Sequence, residues 1–155
     1  MISPITIAID FDGTCVTHEF PIVGKDIGAE PVLKKLVAAG HQLILWTMRA
    51  DEDSLASRDS GDRKMYLTDA VDWFKARNIP LWGTQTNPEQ KSWTSSPKAY
   101  AQLYIDDAAL GTPLTKKALR SSISTKDSYW TIPARPYVDW VKVEEMLVEM
   151  GLISH

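Results

Sequence analysis

Short apolar runs alternate with amphipathic stretches along this chain, and that alternation limits the folds open to it. Residues 4–11 (PITIAIDF) form an isoleucine-rich run between Pro4 and Gly13. A run this short and this uniformly apolar suits a central parallel strand covered on both faces. Residues 42–47 (QLILWT), 79–83 and 102–106 (QLYID) read as three further strands. Between the first two lies a helix signal: Pro31 sits near a first turn, Val32, Leu33, Leu36 and Val37 share a face, and Gly40 stops it. A second helix is expected over 65–77, where Leu67, Ala70, Val71 and Phe74 fall on one side and Asn78 follows. Residues 15–27 hold Pro21 and Gly24 and no helical period, so they read as a loop or hairpin, and residues 50–64 and 84–96 read as polar loops. Ser96 can cap a short helix opened by Pro97. The stretch 112–135 is irregular, with one more strand expected around 129–132. A last helix over 137–150 sets Trp140, Val143, Leu147 and Met150 on one side and ends at Gly151.

Strands and helices in alternation predict an α/β domain: a three-layer, Rossmann-like, open and mostly parallel sheet with helices on both faces. At 155 residues the chain is the size of one domain, spanning 1–155. Lys plus Arg number 17 and Asp plus Glu 20, for a formal charge of −3, so nucleic acid is not the default partner. No stretch approaches the roughly 20 apolar residues of a membrane span. The first residues lack the basic and apolar regions of a secretory signal, and the single cysteine, Cys15, has no internal partner. These features lead to the expectation of a cytoplasmic protein without a membrane partner.

In sheets of this kind ligands bind beyond the carboxyl ends of the strands. Four polar sets fall there or at a helix start: Asp10 with Asp12, Thr47 with Arg49, Lys98, and Asp106 with Asp107. In the segment DFDGT at 10–14, carboxylates two residues apart on an extended chain point to the same side. Like charges so close repel, which separates their proton affinities unless a cation intervenes. One can stay ionised as a nucleophile while the other handles a proton. Gly13 lets the backbone turn sharply and approach a ligand, which makes Gly13 and Thr14 candidate substrate contacts. A hydroxyl at Thr47 can bond a phosphoryl oxygen, and the planar fork of Arg49 suits phosphate or another anionic group.

DFDGT resembles the first signature of the haloacid dehalogenase superfamily of phosphatases. Three further signatures match in order, through Thr47, Lys98 and the pair Asp106–Asp107, covering residues 5 to about 111. The resemblance implies that Asp10 attacks phosphorus to form an aspartyl phosphate. It implies that Asp12 protonates the leaving group and then activates water, a division of labour that covalent and acid–base catalysis favour. Lys98 would neutralise the nucleophile and the transferring group. Magnesium would be held by the Asp10 carboxylate, the Asp12 main-chain carbonyl and the Asp106–Asp107 pair. Which of that pair ligates directly stays open; Asp107 would support a metal water or pair with Lys98. Hard oxygen ligands suit Mg²⁺, and the scattered His18, His41 and His155 speak against zinc. Response-regulator receivers use similar groups, but their acidic pair comes first and their Lys last.

Neither interval that could hold a cap domain is long enough for one, so the resemblance is to small, capless members. An open site suits a macromolecular phosphate end, a phosphoprotein, or a small phosphate ester covered by loops or by a second copy of the chain. Asn87, Trp93 and Thr94 are candidate substrate contacts, Trp93 offering a stacking face. Arg58, Arg63, Lys64, Lys116, Lys117 and Arg120 could steer a polyanion such as a polynucleotide end. Cys15 reads as a small packing residue. The expected function is a Mg²⁺-dependent phosphomonoester hydrolase. The alternatives are a phosphotransferase using the same phospho-aspartate, and a non-enzymatic domain that binds metal or phosphate for regulation.

Overall fold

A computed structural model describes residues 2–52, 64–115 and 135–155. The first apolar run forms β1 (Thr6–Ile9), in which every residue is buried. Successive strand residues face opposite ways, so the sheet is covered on both faces at this strand. Helix α1 (Ala29–Ala38) follows and buries Val32, Leu33 and Leu36. Then come β2 (Gln42–Leu45), the two-residue strands β3 (Asp51–Glu52) and β4 (Lys64–Met65), helix α2 (Tyr66–Ala76), β5 (Gly83–Thr84), β6 (Leu103–Ile105) and helix α3 (Trp140–Glu149). The molecule is therefore α/β, with a four-stranded, all-parallel sheet in the order β5-β2-β1-β6 and three helices among the described residues. Ile7, Ile9, Leu33, Leu43, Phe74 and Leu147 belong to one core that all three helices enter. Among the described residues no helix is long and apolar enough to cross a membrane.

Strand order places the site. From β1 the chain winds outward through β2 to β5, then returns to lay β6 on the other side of β1. The direction of winding reverses between β1 and β6, and such a switch point opens a crevice beyond the strand ends. The register pairs Ile9 with Ile105, and the Asp10 N–H donates to the Ile105 carbonyl at 3.0 Å. Asp10 and Asp106 thus leave neighbouring strands side by side.

Several expected elements differ. Residues 97–100 form no helix: Gln90, buried in a 3₁₀ turn at Gln90–Ser92, donates through Nε2 to the carbonyls of Ser96 and Lys98, and its Oε1 accepts from the Tyr100 N–H. That one side chain takes up backbone groups a helix would have used. The third strand sits at Gly83–Thr84 rather than 79–83, because Ile79 N–H still caps α2 on Phe74 and Pro80 has no N–H to give. The last helix starts at Trp140, capped by Asp139, because Thr115 N–H donates to Tyr137 and Leu114 bridges Val138. Residues 15–27 do turn back as a hairpin-like loop, with Thr17 N–H donating to Lys25 and Val16 bridging Asp26. The loop expected at 50–64 begins and ends as an antiparallel β3–β4 stem. Its centre, the strand expected at 129–132, and Arg58, Arg63, Lys116, Lys117 and Arg120 lie outside the described residues.

Candidate active site

The sheet gathers three carboxylates at the switch point. Ligand oxygens of Asp10, Asp106 and Asp107 lie within 4.8 Å of one another. Asp10 follows β1, and the other two follow β6. Thr14, fully buried, ties them together: its hydroxyl donates to Asp10 Oδ2 at 2.7 Å, and its oxygen accepts from the Asp107 N–H at 3.1 Å. This role occupies Thr14 as a brace between two acids, rather than as the expected substrate contact. The motif turn itself is built from Phe11, whose carbonyl accepts from Thr14 and Cys15. It is buttressed from far along the chain. Val138 N–H donates to the Gly13 carbonyl at 3.0 Å, and the Trp140 indole N–H donates to the Thr14 carbonyl at 2.6 Å.

Crowding the acids separates their proton affinities. Burial, with the Asp107 hydrogen bond and the charge of Asp106 added, pushes Asp10 from 3.8 up to about 8, against the pull of the Thr14 hydroxyl. Burial, reinforced by the charge of Asp107, also raises Asp106. For Asp107 burial acts upward too, but hydrogen bonds from His18 and Asp10 and the charges of His18 and Arg135 outweigh it and hold Asp107 low. His18 Nε2 lies 2.8 Å from Asp107 Oδ2, and an Arg135 nitrogen lies 3.9 Å from the same oxygen. Three carboxylates clustered this closely offer the oxygen ligands that a hard divalent ion such as Mg²⁺ takes.

Asp12 is not one of the three clustered acids. Its carboxylate pairs with Arg49, whose Nε and Nη2 donate to Asp12 Oδ2 and Oδ1 at 2.7 and 2.8 Å. Only its main chain is then free to serve a cation beside Asp10. Thr47 follows β2 and keeps its hydroxyl proton available, because its Oγ1 accepts from the Arg49 N–H at 3.1 Å. Gln85 holds this strand end in place: its Oε1 accepts from the Thr47 N–H, and its Nε2 donates to the Thr47 and Arg49 carbonyls. Gly13 has φ of +81°, the left-handed conformation its sequence position calls for.

Some expected contacts change. Arg49 is 2% exposed, and all five of its N–H groups are taken by Asp12 and by backbone carbonyls, so it does not present a fork to substrate. Asn87 is buried, donating to the Tyr100 carbonyl and accepting from the Glu89 N–H, so it shapes its loop instead of contacting a ligand. Asp107 pairs with His18 and Arg135 rather than with Lys98. Lys98 is exposed, with its ammonium 5.6 Å from the ring centre of Tyr104, the residue two before Asp106. Trp93 is 62% exposed and stands edge-on to Tyr100 with ring centres 5.3 Å apart, so a face remains open to solvent. Cys15 is fully buried, and burial pushes its thiol well above 9.0, which leaves it no thiolate for nucleophilic work.

His18, Arg135, Gln85 and Gln90 are the residues that sequence reasoning missed. Each acts through a partner distant in the chain, and no spacing signal marks such a pair.

No family model matches the chain, and no curated protein does. Among solved structures, the chain is similar to a conserved protein coded by a locus from Bacteroides thetaiotaomicron, with 29% identity, a TM-score of 0.65, and coverage of 96% of this chain and 93% of that one.

Proposed function

We propose that the chain is a Mg²⁺-dependent phosphomonoester hydrolase of the haloacid dehalogenase type, with a capless, three-layer fold, working through a phosphorylated Asp10. The observation that carries this reading is the meeting of Asp10, Asp106 and Asp107 where winding reverses in a parallel sheet. The DFDGT motif directly after β1 adds to it. In this reading Asp10, Asp106 and the main chain of Asp12 hold Mg²⁺, with Asp107 beside them. Once bound, the cation supplies positive charge that neutralises the phosphoryl oxygens and the crowded carboxylates.

The chain's own groups do the rest. Asp10 attacks phosphorus, and the bond to the ester oxygen breaks. Asp12 gives that oxygen a proton, so the product leaves as a neutral alcohol. Water then attacks phosphorus, Asp12 takes its proton, and the bond to Asp10 breaks to release phosphate. Splitting one displacement into two lowers each barrier. The Thr47 hydroxyl donates to a phosphoryl oxygen, and Lys98 offsets charge that develops there.

The test is turnover of 4-nitrophenyl phosphate with Mg²⁺ and with EDTA. Activity that the chelator removes, and that Asp10→Asn lowers by at least about 1,000-fold without loss of the folded circular-dichroism spectrum, is the expected result. Acid quenching should trap wild-type protein carrying one added phosphoryl group. Wild-type rates in Asp10→Asn would sink the assignment of the nucleophile. Mg²⁺ binding with no turnover would turn the reading toward a binding domain.

A further inference from the structure

We propose that Arg49 is a positioning residue: it aims the carboxyl group of Asp12 at the leaving oxygen, and the loop 17–25 and the start of α2 set that aim through it. The proposal rests on the hydrolase reading above and deepens it.

Arg49 is the largest fully buried side chain among the described residues. A buried guanidinium is costly unless every N–H finds a partner. Here every one does. Two parallel bonds go to the two oxygens of Asp12. Of the remaining donors, Nη1 reaches the carbonyls of Pro21 and Tyr66, each at 3.2 Å, and Nη2 reaches the Ile22 carbonyl at 2.9 Å. The guanidinium carbon lies 5.1 and 5.2 Å from the ring centres of Phe11 and Phe20. Phe20 in turn stands edge-on to Tyr66 at 5.1 Å. The loop that carries Pro21 and Ile22 is anchored at its base by Asp26, which accepts from Trp73 of α2 and from Arg77 just after it. Arg49 therefore has one rotamer and one orientation, and the Asp12 carboxylate inherits both.

A group fixed this way cannot greet a substrate phosphate without abandoning three carbonyls in a buried place. It can, however, hold a neighbouring carboxyl within the narrow limits proton transfer needs. Lysine cannot substitute. It is a point donor on a flexible stem, and it cannot make two parallel bonds to a carboxylate while bonding three carbonyls.

The prediction concerns which substrates suffer. Phenyl phosphate needs its leaving oxygen protonated far more than 4-nitrophenyl phosphate does, and the two esters differ little in shape. The quantity to compare is kcat/KM, which reports the step that expels the leaving group. In Arg49→Lys, kcat/KM for phenyl phosphate should fall about 100-fold and that for 4-nitrophenyl phosphate less than about ten-fold. Adding Arg49→Lys to Asp12→Asn should cost nothing further on either ester, because the residue would act only through a carboxyl already removed. Should Arg49→Lys fail to fold, Asp12→Glu carries the test. It keeps both charges but moves the carboxyl by one methylene, and the same selective loss is expected.

Equal losses on the two esters, in whichever variant folds, would overturn the proposal and make Arg49 a substrate contact or a scaffold residue. Absence of Mg²⁺-dependent turnover of either ester by the wild type would instead overturn the hydrolase reading, and this proposal with it. The two failures are thus distinct.

Discussion

A Cβ added to Gly13 would lie 1.9 Å from Nε2 of His18 and 2.7 Å from a carboxylate oxygen of Asp107, on a backbone whose φ is +81°. Both facts act together. The backbone conformation alone costs an L-residue about 1–2 kcal/mol, and the side chain would push His18 off Asp107. Gly13→Ala should lower the urea midpoint, with the slope unchanged, by an amount equivalent to about 2 kcal/mol or more. It should also reduce turnover of 4-nitrophenyl phosphate more than heating losses explain. At this scale the residues bearing charge were legible in the sequence, because a strand end followed by an acid is a local pattern. Asp10, Asp106 and Asp107 needed only the strands to be found. Arg49 and Asn87 were misread because their roles depend on partners many positions away. A buried guanidinium and a solvent-facing one look the same in a sequence.

Between the residue and the fold stand the connections. The segment after β5 was expected to open a helix at Pro97, on the evidence of Ser96 and Pro97 alone. Those are sound local signals, but Gln90 supplies three hydrogen bonds from outside the window and the segment stays irregular. Gln90→Leu should leave those groups unpaired in a buried place and cost about 3 kcal/mol. Hydrogen exchange should show faster amide exchange at Tyr100, while β1 and β2 stay protected. Lys98 leaves its position with the loop, so activity should fall as well. The strands and helices themselves were readable from apolar period: β1, α1, β2, α2, β6 and α3 all formed where the pattern placed them, to within a few residues. What the pattern could not convey is how far pairing extends, as β5 shows. Its position follows from Pro80 and from the reach of Trp82 to the Leu43 carbonyl, not from hydrophobicity.

For the molecule as a whole, assembling the acids opposes folding. A free Asp loses its proton above 3.8, whereas folded Asp10 keeps one up to about 8. Between those values the native state binds the extra proton, so stability contributed by this group is full below about 4 and lost as pH rises toward about 8. Asp107 shifts the other way, and its effect is confined to pH below its ordinary range. In EDTA the melting temperature should therefore decline from pH 5 to pH 8 by more in the wild type than in Asp10→Asn. Saturating Mg²⁺ should reverse the decline by taking the proton's place, and a concentration of 100 Kd should add about 2.7 kcal/mol. A parallel pH dependence in the two proteins would show that Asp10 does not carry the proton.

The turn that presents Asp10 is held from behind by Val138 and by the indole of Trp140. On the proposed reading every reacting group lies before residue 111, yet a polypeptide stopped there would lose both of these bonds and leave Asp10 on an unbraced bend. Inheritance of such a site therefore demands Val138 and Trp140 as strictly as the motif.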